Sequence, residues 1–165
     1  MSLIDPGSKA PAWSLLDKDA KPHALKDYSG AFVVLYFYPK DDTSVCTNQA
    51  CTFRDLLPRF RRANAAILGI SPDSSESHAA FAKKHKLNFT LLADPPGPTK
   101  TPKVCSAYGT WAEKSMYGRK YMGVVRTTYL INPDGIVIRR WDRVRVAGHA
   151  DQVLEAIREA SAARK

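Results

Sequence analysis

The sequence predicts an α/β fold in which a central mixed sheet is flanked by helices on both faces. Two observations favour it: apolar stretches typical of buried strands alternate with amphipathic stretches of helical spacing, and the second half closes with a hairpin and a helix. Strands joined through helices pair in parallel, whereas hairpin strands pair antiparallel, so both kinds of pairing are expected in one sheet. The length of 165 residues suits one hydrophobic core, and we expect residues 1–165 to form a single domain.

The first half of the chain supplies most of the expected strands. Two short extended pieces lie around the polar turn "DKDAK" at 17–21. "AFVVLYFY" at 31–38 is rich in β-branched and aromatic residues without polar alternation, which is typical of a central strand covered on both faces. A second buried strand is expected at 65–71, "AAILGIS", and a short one at 89–94, "FTLLAD".

Helices are expected between these strands. A cap signal at Thr43 or Ser44 and apolar residues at helical spacing predict a long helix up to residue 63. We expect it to be kinked or broken near Pro58, because proline lacks the N–H that a helix interior needs. Residues 71–87 predict a second helix with Ser74 or Ser75 as its cap.

The second half begins with the proline-rich loop "PPGPTKTP" at 95–102, followed by a short helix at 103–109. Residues 121–131, "YMGVVRTTYLI", and 135–141, "GIVIRRW", predict a hairpin about the turn "NPDG". "GHADQVLEAIREASAARK" predicts an amphipathic helix at the end of the chain.

The charge of the chain suggests a function that the rest of the sequence does not favour. Lys and Arg number 25 against 16 Asp and Glu, a net charge of +9 that suits a nucleic-acid-binding or chaperone-like module. The basic residues are spread, however, so we expect mostly solvated basic faces. The N-terminus lacks a secretory signal and no apolar run could span a bilayer, which favours a cytoplasmic protein without membrane association.

Two of the three cysteines, Cys46 and Cys51, lie close to the start of the long helix. Cys46 falls in the first turn, where free backbone N–H groups and the helix dipole stabilise a thiolate. On an ideal helix, Cα atoms five positions apart are separated by roughly 8.6 Å, whereas a disulfide needs less than about 7 Å. A bond between these cysteines therefore requires the first turn and a half of the helix to unwind.

Other interpretations of the polar residues are open at this point. Cys51 could be a small core residue and Cys46 an inert one. A zinc site is not expected, because C-x2-C and H-x3-H spacings are absent, and the missing C-x2-C also disfavours a thiol–disulfide oxidoreductase. Asp41 and Asp42 are expected in a solvated loop, and no spacing suggests catalysis by any of the four histidines, His23, His78, His85 and His149.

The segment "VVLYFYPKDDTSVCTNQACTFRDLLP" resembles the active-site segment of the peroxiredoxins, whose pattern P-x-x-x-T-x-x-C is met by Pro39, Thr43 and Cys46. Cys51, followed by "TFRD", is similar to the bacterioferritin-comigratory-protein (PrxQ) subfamily in particular. The likeness extends over nearly the whole chain. It implies a thioredoxin-like three-layer fold and a thiol-dependent peroxidase that needs no cofactor and no metal.

The resemblance also implies roles for individual residues. Cys46 would be the peroxidatic thiolate, and the Thr43 hydroxyl would bond the sulfur or the peroxide oxygen. Pro39 would shield the sulfur and shape the loop. Arg126, in "VVRTTYL", matches the arginine whose guanidinium holds thiolate and peroxide, and Gln49 is expected to help orient it.

The implied cycle reduces hydrogen peroxide and organic hydroperoxides. Cys46 would pass through a sulfenic acid to an intramolecular disulfide with Cys51, and thioredoxin or a similar dithiol reductant would recycle it. By the same resemblance the protein is expected to be a monomer, with a weak dimer as the alternative.

Two features differ from the usual pattern of the subfamily. Ser44-Val45 stands where Pro-Gly is common, and the loop at 95–102 is longer than usual. Some members of the subfamily resolve through a cysteine on another helix, so by this resemblance Cys105, which directly follows the loop, is a rival or auxiliary resolving thiol.

Overall fold

A seven-stranded mixed sheet forms the centre of the computed structural model, which describes residues 2–164. Its strands are β1 (Ser14–Asp17), β2 (Pro22–Ala24), β3 (Phe32–Phe37), β4 (Ala65–Ser71), β5 (Thr90–Ala93), β8 (Thr127–Ile131) and β9 (Val137–Trp141), and a separate hairpin consists of β6 (Trp111–Met116) and β7 (Arg119–Val124). The strand order is β2-β1-β5-β4-β3-β8-β9. The pairs β3–β4 and β4–β5 are parallel and the others antiparallel, so the predicted mixed sheet is confirmed.

Four helices accompany the strands: α1 (Ser44–Arg62), α2 (Ser75–His85), α3 (Lys103–Ala107) and α4 (His149–Ala163). Ser74 caps α2 as expected, with its hydroxyl accepting from the N–H of Ser77 at 3.1 Å. Short 3-10 turns cover Leu25–Tyr28 and Gly97–Thr99. No helix in residues 2–164 is long and apolar enough to cross a membrane.

Apolar side chains pack on both faces of the sheet. Every residue of β3 is buried, and its alternate side chains enter two different clusters. Val34 and Tyr36 pack with residues of α1, α2 and α4, whereas Val33 and Leu35 pack with the N-terminal segment and α3. This is the reason that the strand sequence shows no polar alternation.

Of the kink or break predicted near Pro58, the break is wrong, because α1 runs without interruption from Ser44 to Arg62, and the kink stays a prediction. Pro58 cannot donate to the carbonyl of Arg54, four residues earlier. The side-chain amide of Asn88 donates to that carbonyl instead, at 3.3 Å. A donor from outside the helix thus replaces the missing backbone hydrogen bond.

The stretch predicted as one strand at 121–131 is divided in the structure. β7 ends at Val124 and pairs with β6, a strand that the sequence did not predict, and β8 begins at Thr127. Arg126 lies at the junction, where its carbonyl accepts from the N–H of Val144 at 2.9 Å. The division places Arg126 at the end of β3 from which α1 departs, because Thr127 pairs with Phe37.

Candidate active site

Cys46 lies in the first turn of α1, directly beyond the central strand. β3 ends at Phe37, residues 38–43 form a loop, and Thr43 in an extended conformation precedes the helix. The first helical hydrogen bond runs from the N–H of Thr47 to the carbonyl of Thr43, at 2.8 Å. Cys46 is 2% exposed, and the first turn contains no acidic residue. The positive end of the helix therefore faces its sulfur without competition from a carboxylate in that turn.

Arg126 joins Cys46 to the next turn of α1. Its Nη2 donates to Cys46 Sγ at 3.2 Å, and its Nη1 donates to Gln49 Oε1 at 2.6 Å. Cys46 and Gln49 are three positions apart, so they lie on the same face of the helix. The two nitrogens of one planar fork thus contact two fixed acceptors, which holds a permanent cation against the sulfur. Gln49 is 1% exposed, and its Nε2 has no hydrogen-bond partner within residues 2–164.

Thr43 and Pro39 make no hydrogen bond to Cys46 in the described part of the chain. The Thr43 hydroxyl is exposed and donates to the carbonyl of Lys40 at 3.0 Å, which closes the loop on itself. Pro39 is half-buried at the start of the loop. The roles predicted for these two residues stay predictions.

Cys51 shares α1 with Cys46, and both are free thiols. Cys51 is half-buried, one and a half turns further along the helix. Since α1 is intact through both positions, the separation argued from ideal helix geometry applies to this structure. The two sulfurs can therefore form a disulfide only after the start of α1 unwinds.

Cys105 occupies a different environment from both. It is 0% exposed and packs in the cluster on the face of the sheet opposite to that of Cys46. Its backbone N–H donates to Asp94 Oδ2 at 2.7 Å. Burial, and then the neighbouring Asp94 carboxylate, raise the pKa of the Cys105 thiol well above its ordinary value. The structure therefore gives Cys105 neither a route to Cys46 nor an activated sulfur.

A further cation, Lys114, lies near the site and was missed by the sequence reasoning. Its Nζ donates to the carbonyl of Val124 at 3.1 Å. Partial burial lowers the pKa of Lys114 and Arg126 adds to this effect, whereas Cys46 opposes it. The only sequence signal was the turn "MYGR", which could have indicated that β6 folds back along β7.

The expectation that Asp41 lies in a solvated loop is wrong, whereas Asp42 is exposed as expected. Asp41 is 8% exposed, and its carboxylate accepts from the Tyr38 hydroxyl and from the Ser77 hydroxyl, each at 2.7 Å. His78 Nδ1 lies 2.7 Å from the same carboxylate. The loop before Cys46 is thus attached to α2 by buried polar contacts.

Within residues 2–164 no three His, Cys, Asp or Glu side chains are grouped as a metal site would need.

Comparisons with known proteins agree with this geometry. The family model described as AhpC/TSA matches residues 6–140. A putative peroxiredoxin Bcp of Coxiella burnetii is 42% identical over 92% of this chain and 97% of its own length. The peroxiredoxin Bcp of Bacillus subtilis is 40% identical over 96% and 98%.

Solved structures of Bcp and PrxQ proteins are also similar to this chain. The bacterioferritin comigratory protein of Xanthomonas campestris has a TM-score of 0.85 at 37% identity, covering 95% of this chain and 99% of that one. A cysteine-to-serine variant of PrxQ from Xylella fastidiosa has a TM-score of 0.89 at 33% identity, covering 98% and 99%. The predicted thioredoxin-like α/β fold is confirmed. From the family match and the identity to relatives over most of its length, the chain belongs to the AhpC/TSA family, in the Bcp (PrxQ) group of peroxiredoxins, and is a thiol peroxidase.

Proposed function

We propose that Cys46 is the peroxidatic residue and Cys51 the resolving residue of this peroxidase. The observation that carries the proposal is the contact of Arg126 Nη2 with Cys46 Sγ, 3.2 Å long, at the N-terminus of α1. A cation and free backbone N–H groups next to one sulfur favour its thiolate, which is the nucleophilic form of a cysteine.

In the first step the Cys46 thiolate attacks one oxygen of the peroxide. The S–O bond forms as the O–O bond breaks, the sulfur is oxidised by two electrons, and an alcohol or water leaves after protonation of its oxygen. Negative charge develops on the leaving oxygen, and the fixed Arg126 guanidinium stabilises it without reorganisation. The Thr43 hydroxyl would bind the sulfur or the peroxide oxygen after turning away from Lys40, and Pro39 would shield the sulfur.

In the second step the start of α1 unwinds and the Cys51 sulfur attacks the sulfenic sulfur of Cys46. The S–S bond forms, the S–O bond breaks, and water leaves with the proton of the thiol. Cys51 is preferred over Cys105 because it is half-buried rather than fully buried and lies on the same helix as Cys46.

A dithiol protein, thioredoxin or one similar to it, then reduces the disulfide and is itself oxidised, which restores both cysteines. The proposed substrates are hydrogen peroxide and organic hydroperoxides. An alkyl peroxide reduction activity is ascribed to the related Xanthomonas campestris protein. We further propose a cytoplasmic protein of one domain that acts as a monomer or weak dimer.

The assignment of Cys46 predicts that Cys46→Ser abolishes turnover. A serine hydroxyl in its place is far less nucleophilic than a thiolate, so peroxide-dependent NADPH consumption in a thioredoxin-coupled assay should fall to background. Cys105→Ser is the matched control and should keep most of the activity. Turnover that survives in Cys46→Ser would refute the proposed mechanism.

The assignment of Cys51 is tested by mapping the disulfide after one equivalent of peroxide. Peptide mass spectrometry should find a crosslink between residues 46 and 51, and Cys51→Ser should leave Cys46 as a sulfenic acid that is overoxidised by more peroxide. A crosslink between residues 46 and 105 would transfer the resolving role to Cys105.

A further inference from the structure

A buried histidine on α2 contacts the loop that leads to Cys46. His78 is 0% exposed, its Nδ1 lies 2.7 Å from Asp41 Oδ2, and its Nε2 lies 3.0 Å from the carbonyl oxygen of Leu92. A carbonyl can only accept, and the Asp41 carboxylate already receives two hydroxyl donors. The imidazole thus links the loop, through Asp41, to the strand that carries Leu92.

These contacts fix the loop at Asp41. Besides the carboxylate, the backbone N–H of Asp41 is bound, since it donates to Asp73 Oδ2 at 2.8 Å. Tyr38, at the first position of the loop, donates to the same Asp41 carboxylate. Both the side chain and the backbone of Asp41 are therefore held from α2 and from the turn that precedes it.

Residues 42–45, which follow Asp41, have fewer buried contacts to the rest of the protein. Asp42 has a φ of +58°, a left-handed conformation that non-glycine residues seldom adopt, and its carboxylate makes exposed contacts with Lys84 and His85 on α2. Thr43 and Val45 are exposed, and the Thr43 hydroxyl is bound only within the loop. The chain is thus firmly held at Asp41 and weakly held after it, and Asp41 lies three residues before Ser44, where the helical turn that carries Cys46 begins.

We propose that His78 is a positioning residue for Cys46. By holding Asp41, it favours the wound first turn of α1, in which Cys46 contacts Arg126, over the unwound turn, in which Cys46 reaches Cys51. This inference rests on the proposed function, because it concerns the balance between the two steps assigned to Cys46. Loss of the His78–Asp41 contact moves that balance toward the unwound state.

Two variants separate positioning from simple structural support. In His78→Asn the amide nitrogen can occupy the place of Nδ1 and still donate to Asp41. In His78→Gln the amide reaches the place of Nε2 and keeps the Leu92 contact, but leaves Asp41 without this donor. His78→Asn should therefore keep the native partition of Cys46 between disulfide formation and overoxidation, whereas His78→Gln should not.

The measured quantity is the fate of the Cys46 sulfenic acid. Protein with all three cysteines is treated with increasing hydrogen peroxide, and intact mass gives the fractions of disulfide and of overoxidised sulfinic acid. A more unwound turn forms the disulfide sooner, so His78→Gln should require about tenfold more peroxide for half overoxidation. Because the wound turn remains the major state, the rate constant of this variant for the first reaction with peroxide, followed by stopped-flow fluorescence, should fall by less than about twofold.

His149→Gln is the matched control, since His149 is also a buried histidine with a hydrogen bond, to the Thr128 hydroxyl at 2.8 Å, but does not contact the loop. It should leave the peroxide concentration for half overoxidation unchanged even if it lowers thermal stability. If His78→Gln does not fold, Ser77→Ala, which removes one donor from Asp41, should shift the concentration in the same direction by a smaller factor.

The inference would be overturned if folded His78→Gln were half overoxidised at the same peroxide concentration as the native protein. It would also be overturned if His78→Asn and His78→Gln shifted that concentration equally. Such a result would leave the assignment of Cys46 untouched, because that assignment depends on the Cys46→Ser variant. Conversely, turnover in Cys46→Ser would refute the proposed function whatever the His78 variants do.

Discussion

Arg126 is useful at the active site because its planar fork reaches two acceptors at once. One nitrogen contacts the Cys46 sulfur and the other the Gln49 amide oxygen, so the charge is fixed in position before peroxide arrives. We predict that Arg126→Lys lowers the second-order rate constant for peroxide by about 100-fold, although the charge is kept, because a single ammonium cannot hold both contacts. Stopped-flow fluorescence under single-turnover conditions measures this constant.

Arg139→Lys is the matched control for this prediction. Arg139 stacks on the ring of Trp141, 4.7 Å from its centroid, and makes no hydrogen bond to Cys46 or Gln49 in residues 2–164. Its replacement should leave the rate constant within about twofold of the native value. A similar loss in both variants would show that the fork geometry of Arg126 is not the cause.

The site residues differ in how far the sequence could identify them. Spacing alone indicated the special position of Cys46 and its separation from Cys51, whereas Arg126 was identified only through a family resemblance. Asp41 and His78 could not be paired, because 37 positions separate them and their contact depends on how α2 packs. The polar sequence "KDDT" gives no sign that one of its two aspartates is buried.

At the scale of the element, α1 depends on an outside donor at Pro58. Asn88 supplies that donor to the carbonyl of Arg54. We predict that Asn88→Ala lowers the free energy of unfolding by about 1 kcal/mol. Pro58→Ala should raise it by about 2 kcal/mol, since proline is unfavourable in a helix interior and only part of this is offset in the unfolded chain.

The two substitutions should not be additive. In the Pro58→Ala background, the new backbone N–H can donate to the Arg54 carbonyl, so Asn88→Ala should cost less than half of its effect in the native protein. Urea unfolding of the four proteins gives the interaction energy. Asn64, whose amide donates to the carbonyl of Gly30 at 2.9 Å, provides a control pair that should be additive with Pro58→Ala. Additivity of Asn88→Ala and Pro58→Ala would contradict this account of the unbroken helix.

Buried elements were easier to predict than exposed ones. β3 and β4 are almost wholly buried, and their apolar sequences predicted both strands. β6 is half polar and has no fully buried residue, because the hairpin that it forms with β7 lies outside the main sheet. The break between β7 and β8 was missed because "GVVRTTYL" keeps a strand-like composition through Arg126.

At the scale of the molecule, the two apolar clusters keep Cys46 and Cys105 apart. The central sheet separates the cluster that contains Cys46 from the one that contains Cys105. A bond between them would require α1 or α3 to leave its face of the sheet, whereas a bond between Cys46 and Cys51 requires only the start of α1 to unwind. The layered fold therefore limits the structural change of the proposed cycle to one end of one helix.

The stability of the whole fold should fall in mild acid because of His149. Burial lowers its pKa from 6.5 to about 4, in a setting that includes the rings of Phe53 and Trp141. The unfolded chain takes up a proton at His149 as the pH falls through 6.5, whereas the folded protein does so only near 4. The stability that depends on neutral His149 is thus complete above pH 6.5 and is lost progressively between 6.5 and about 4.

The expected loss is about 3 kcal/mol over this window, from the size of the pKa shift. His149→Gln has no group that titrates there, so its free energy of unfolding should vary less with pH than that of the native protein by about this amount. Urea unfolding at about pH 7.5 and about pH 4 measures the difference, and an NMR titration of the His149 ring follows the proton directly. Equal pH dependence in the two proteins would contradict the role of His149, because every other titrating group is common to both.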